Sequence, residues 1–190
     1  VLAIGFGASQ TGVAVAADLA SGMIDRFRAL PTAGISVLAG RAAADAIRNL
    51  LATGIMIAVG SAIGFRFHAG FGAALAAIGL AIATGIAFSW LNILLGLQIR
   101  DPESAGLAGL FPVIIGVFAS STLVPAGTMP TWLQAVARLN PITAVADALR
   151  VLCLGGPATR PVTEGFTWIA ALLVITVPLA TGRYRHARSA

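Results

Sequence analysis

The sequence contains no lysine, a single cysteine, two histidines, one tyrosine and only seven carboxylates among 190 residues. Without lysine there is no phosphate-loop lysine, no Schiff-base lysine and no lysine general base. The lone Cys153 excludes an internal disulfide and a thiolate metal cluster, and reads as a small apolar packing residue. Charge is scarcest of all. Asp, Glu, Lys and Arg make up 10% of the chain, against about 25% in an ordinary soluble domain. So few charges cannot cover a water-facing surface, so most of the surface must face lipid or another protein.

What is present is apolar: 58% of residues are hydrophobic and the mean hydropathy is +0.93. The net charge of +5 does not indicate nucleic acid, because the arginines form no single stripe and sit in short segments between apolar runs. A spanning helix needs about 20 mostly apolar residues. Spans are therefore predicted at about 1–17, 50–65, 71–97, 105–127 and 163–182. Val1 already lies inside an apolar run with no basic segment before it, so it does not open a signal peptide. The sequence reads as starting part-way through a longer chain.

Arginine counts set the orientation. Arg26, Arg28, Arg41, Arg48, Arg100, Arg183, Arg185 and Arg188 fall on one side, and Arg66, Arg138, Arg150 and Arg160 on the other. The richer side is cytoplasmic, which places the C-terminus inside. His68 and His186 then lie on opposite sides and cannot share a metal; no metal site is expected. None of Asp18, Asp25, Asp45, Asp101, Glu103, Asp147 and Glu164 falls in the middle of a predicted span. Ion-coupled transporters keep ionisable groups at that depth. Intramembrane hydrolases and metal-dependent lipid enzymes need clustered carboxylates or histidines.

Two segments do not span. In 18–49, Asp18 can cap a helix in which Leu19, Met23, Phe27 and Leu30 recur at helical spacing. Pro31 stops it, Thr32 can cap the next, and Gly34–Arg48 leads back to the membrane. The second segment, 128–160, lies outside. Met129 leads in, Pro130 suits the first turn of a short helix with Trp132 at the membrane boundary, Asn140-Pro141 interrupts it, and Gly155-Gly156 ends the next. Pieces this short are expected to be interfacial or re-entrant. Within the spans, Gln10, Thr11, Ser89, Asn92, Ser120, Ser121 and Thr122 are neutral polar groups that bond between helices or line a substrate path. Asp147 and Arg150, three apart, can pair on one helix.

Residues 18–48, DLASGMIDRFRALPTAGISVLAGRAAADAIR, resemble the loop between the second and third spans of type-2 ABC exporter permeases, most of all the daunorubicin-resistance group. The outer stretch GTMPTWLQ, followed by NPIT and ALR, is similar to the segment before that family's last span. The resemblance covers essentially the whole chain. The resemblance implies an all-α, polytopic transmembrane helical bundle in one domain, with six spans in the full-length protein and five in 1–190. It implies a multi-pass protein of the bacterial plasma membrane that dimerises with a second permease copy and docks onto an ABC ATP-binding subunit. ATP and Mg would bind that partner, with no cofactor in this chain. The cytoplasmic helix between spans would be the coupling element, with Asp18, Asp25, Arg26, Phe27, Arg28, Leu30 and Pro31 at the ATPase interface. Transport would be export of a drug-like or other amphiphilic substrate by alternating access, with no catalytic residue here. The competing readings are a non-catalytic membrane scaffold and a lipid-modifying membrane enzyme.

Overall fold

A computed structural model describes residues 2–21, 34–99, 101–122 and 129–187. Seven helices make up the described fold, with no strand among the described residues: α1 (Leu2–Ala20), α2 (Gly34–Ala62), α3 (Phe71–Gln98), α4 (Pro102–Phe118), α5 (Thr131–Arg138), α6 (Pro141–Leu154) and α7 (Thr159–Ala187).

The helix boundaries follow local chemistry. Asp101 caps α4 by accepting from the Ser104 N–H at 2.8 Å, with Pro102 in the first turn. Hydrogen bonds to Ser104 hold the Asp101 carboxyl below the ordinary carboxylate range. This cap is therefore complete above that range and is lost as pH falls through the lowered value. Asn140 caps α6 by accepting from Ile142 N–H at 2.9 Å, again with Pro next. Gly155 and Gly156 end α6 at φ 91° and 124°, a backbone region that other residues rarely enter.

Helix α3 is the central post, packed against α1, α2, α4, α6 and α7. Three apolar clusters surround it: Trp90, Ile93 and Leu94 with Val15, Ala180 and Tyr184; Leu80 with Val145, Leu152 and Ile169; and Phe88 with Ala8, Val113, Val117 and Ile142. The rest of the bundle is inside-out relative to a soluble protein. On α2, Ile47, Leu51, Ile55, Met56 and Val59 are exposed, while Asp45 and Asn49, on the face opposite Ile47 and Leu51, are buried. On α4, Leu107, Phe111, Ile115 and Phe118 are exposed in a stripe. A helix that hides its polar face and shows its apolar face is stable only where the surroundings are apolar. Three helices are long and apolar enough to cross a membrane, at Ala39–Ala62, Phe71–Gln98 and Thr159–Tyr184, and α4 is a shorter apolar helix.

Three boundaries depart from the sequence expectation. The predicted separate cytoplasmic helix at 34–48 and span at 50–65 are one continuous helix, α2. Hydropathy averaging missed this because Arg41, Asp45 and Arg48 depress the local mean although the helix runs on through them. The apolar run 105–127 is not one helix either: α4 ends at Phe118, where Ser120 Oγ donates to Val117 O at 2.7 Å and closes the helix end. Ser120, Ser121 and Thr122 thus lie beyond the helix rather than within a span. Pro130, expected in the first turn of its helix, is instead the residue before α5.

Candidate functional site

The side chains that matter are the polar ones the bundle has taken out of reach of solvent. Helices α1 and α2 run antiparallel, and three polar contacts tie them together along one face. Arg41 pairs with Asp18, the Thr11 hydroxyl donates to the Asp45 carboxylate, and Arg48 donates to Gly7 O at 3.2 Å. Arg48 also pairs with Asp45 at 3.1 Å. Asp45 is 3% exposed, so its carboxylate depends on these two partners.

One turn further along α2, the buried Asn49 packs where a Cβ on Gly85 of α3 would stand. Gly85 lies at the middle of α3, so Asn49 sits about 20 Å from either end of that helix at 1.5 Å per residue. On α1, Gly12 is pressed against Asn92 and Gly96 of α3, and Asn92 Oδ1 occupies the space beside Gly109 of α4. Asn92 Nδ2 bonds Phe88 O in its own helix at 2.9 Å, leaving Asn92 Oδ1 with no hydrogen-bond partner; Ser89 Oγ also has none.

A second polar cluster closes the far end of α4. Ser121 Oγ donates to Asp147 at 3.0 Å, Arg150 donates to the same carboxylate at 2.7 Å and to Ser121 O at 3.3 Å, and Ser121 N–H meets Thr143 Oγ1 at 3.3 Å. The Asp147–Arg150 pairing is the one their spacing predicts. Asn140 Nδ2 donates to Gly116 O at 2.6 Å, so α6 is joined to α4 by the same residue that caps it.

The residues singled out from sequence separate accordingly. Ser89 and Asn92 are fully buried at the α1–α3–α4 junction, whereas Gln10 is exposed on α1. Ser120, Ser121 and Thr122 belong to the second polar cluster, past the end of α4 and roughly 13 Å or more from the Gly109 level. They do not line one path with Asn92. Met129 is buried, Trp132 is exposed on α5, and Asn140-Pro141 opens α6. Asp18 is described and paired with Arg41; Asp25, Arg26, Phe27, Arg28, Leu30 and Pro31 lie outside the described residues.

Sequence reasoning missed Asp45, Asn49 and Ser9. A signal for the first two was present: Asp45 and Asn49 are four apart, with Ile47 and Leu51 turned to the other face. Read as a water-exposed helix, that stripe points outward; in lipid it points inward.

Apolar cavities also open among the described residues, two of them large. One, of about 370 Å³, is lined by Ile4, Met56, Phe65, Phe67, Leu149 and Cys153, among others. The other, of about 440 Å³, lies between α4, α5 and α6 and includes Pro112, Ile115, Leu139 and Asn140. Both suit hydrocarbon or a ring face, and neither brings together the groups that bond-making chemistry needs.

The ABC-2 type transporter family model matches residues 1–154. The chain is 31% identical over 176 residues to the daunorubicin resistance ABC transporter permease protein of Streptomyces coeruleorubidus, covering 93% of this chain and 62% of that relative. It is 34% identical over 191 residues to the "probable doxorubicin resistance ABC transporter permease protein" of Mycobacterium tuberculosis, covering 97% of this chain and 68% of the relative. A further M. tuberculosis relative, a doxorubicin resistance ABC transporter permease protein, is 30% identical over 184 residues, or 91% of this chain and 62% of its own length. The chain thus spans about two thirds of the length of these relatives. No solved structure matches it. An inside-out helical bundle with a buried polar seam, matched by the family model over most of its length, belongs to the ABC-2 type transporter family of membrane permeases.

Proposed function

We propose that this chain is the membrane-spanning part of a permease subunit in an ATP-driven exporter, moving an amphiphilic, drug-like substrate out of the cytoplasm. The observation that carries the reading is the match to drug-resistance permeases along nearly the whole chain. The inside-out bundle supports it, since such a surface belongs in lipid. Energy comes from a separate ABC ATP-binding subunit that holds ATP and Mg; a chain with no lysine has no phosphate-loop lysine of its own. Two permease copies form the pathway, in a bacterial plasma membrane with the C-terminus cytoplasmic. Nucleotide state favours one of two packings of the dimer, which is what alternating access requires. The sequence between α1 and α2, with Asp25, Arg26, Phe27, Arg28, Leu30 and Pro31, is the docking segment.

The test is co-purification of the full-length permease with its ATP-binding subunit. The wild type is expected to bring the subunit down. Arg26→Glu with Phe27→Ala is expected to lose at least about tenfold of it, or 1.4 kcal/mol, while remaining in the membrane at wild-type abundance. Retention of the subunit by the double variant would move docking elsewhere, and absence of any association by the wild type would remove the exporter reading.

A further inference from the structure

The α1–α2 hairpin carries a row of polar contacts beside the apolar cluster that includes Val15 and Ala42. In lipid, apolar side chains gain nothing by leaving hydrocarbon for one another, so helix pairs are held by close packing and polar bonds. Here Ile47 and Leu51 of α2 point away from the bundle, and the buried Asp45, flanked by the half-buried Arg41 and the exposed Arg48, meets α1, where the three contact Thr11, Asp18 and Gly7. On α2 these contacts fall one helical turn apart, at Arg41, Asp45 and Arg48, and on α1 they fall one and then two turns apart, at Gly7, Thr11 and Asp18, so sliding or rolling one helix against the other breaks them. Asn49, next on the same face, seats the pair in the hollow at Gly85, and Gly12 seats it against Asn92 and Gly96.

We infer that Asp45, with Thr11 and the Asp18–Arg41 pair, is a positioning element for transport: it locks α1 and α2 into one rigid arm that carries displacement of the connecting segment to α3. This rests on the permease reading above. A carboxylate buried at a contact between two helices is costly to keep there, and locking the arm supplies a reason for it. Ser89 Oγ and Asn92 Oδ1 lie on the α3 face that receives the arm, buried and without partners. A shift of the arm therefore has hydrogen bonds to gain there, as a post serving two packings needs.

The test uses the full-length permease and its ATP-binding subunit in proteoliposomes, with fluorescent doxorubicin as the transported probe. The readout is drug moved per ATP hydrolysed. Asp45→Asn keeps shape and an acceptor for Thr11 but removes the charge; it is expected to lower that ratio about tenfold. Asp18→Arg and Arg41→Asp are each expected to lower it, and the double exchange to restore it to within about twofold of wild type, which a purely structural loss would not do. An unchanged ratio in Asp45→Asn, or a double exchange no better than its single members, overturns the inference.

A second measurement needs no disruptive variant. In a Cys153→Ala background, spin labels at the exposed positions Ala17 and Ala44 report the spacing of the two arms. That spacing is expected to be the same in nucleotide-free and vanadate-trapped complexes. A change approaching one helical turn, about 5 Å, would show the arms moving independently and sink the idea. A wild-type complex that hydrolyses ATP without moving the probe, or fails to assemble, would fail the permease reading first and this one with it.

Discussion

Gly96→Ala is expected to destabilise the permease, and Gly96→Val to leave almost none of it folded. A Cβ at residue 96 would stand 2.5 Å from the Gly12 carbonyl oxygen and 3.2 Å from the Gly12 Cα. Both obstacles are backbone, so no side-chain rotation relieves them; α1 and α3 have to separate along the most extensive helix contact in the bundle. Overpacking of this kind costs about 1–3 kcal/mol for a methyl group and more for a branched side chain. The sign of the alanine result is the informative part. Elsewhere in a helix, glycine to alanine gains about 1 kcal/mol in propensity. Gly79 on the same helix has nothing within 4 Å of a built Cβ, so Gly79→Ala is expected to be neutral or stabilising. Recovery of monodisperse protein after heating in detergent would compare the two directly. If Gly96→Ala behaved like Gly79→Ala, the α1–α3 crossing described here would be wrong.

That crossing also marks where the sequence stops being readable. The helix at Phe71–Gln98 could be anticipated from an unbroken apolar run, because a central helix apolar on all sides leaves hydropathy nothing to confuse. The breaks near Pro130, at Asn140-Pro141 and at Gly155-Gly156 were legible for a different reason: proline and glycine act through local backbone geometry, which needs no knowledge of neighbours. The role of Asp45 was not legible. Its meaning depends on which way the α2 stripe faces, and amphipathic periodicity is the same whether the polar side meets water or meets α1. Glycines raise the same difficulty. Gly12, Gly96 and Gly109 look no different in the sequence from Gly79 or Gly54, yet the first three lie within reach of another helix and the other two face open space. Of the neutral polar residues read as interhelical contacts or a substrate path, Ser89 and Asn92 are buried on one helix, but Gln10 turns outward and Ser120–Thr122 fall beyond α4, because a one-dimensional list of polar residues carries neither face nor depth.

Asn140 separates local from tertiary chemistry in a single residue, and its variants are expected to show it. Its side-chain oxygen caps α6 through Ile142 N–H, and its amide nitrogen donates to Gly116 O in α4, with the residue 9% exposed. Asn140→Ala removes both bonds and is expected to cost about 2 kcal/mol, roughly 1 from the cap and roughly 1 from the link between helices. Asn140→Asp keeps an acceptor as good as asparagine for capping. It has no donor for Gly116, and it sets a carboxylate oxygen against that carbonyl in a site with little water to screen the repulsion. If the cap were the whole role, the aspartate variant would match wild type and only the alanine variant would suffer. With the α4–α6 link counted, aspartate is expected to be at least as damaging as alanine near neutral pH. It should partly recover as the medium is acidified, because the protonated carboxylic acid regains an O–H to donate to Gly116. The heat tolerance of wild type, Asn140→Ala and Asn140→Asp at two pH values would decide it: an aspartate variant indistinguishable from wild type at both would leave α6 merely resting against α4.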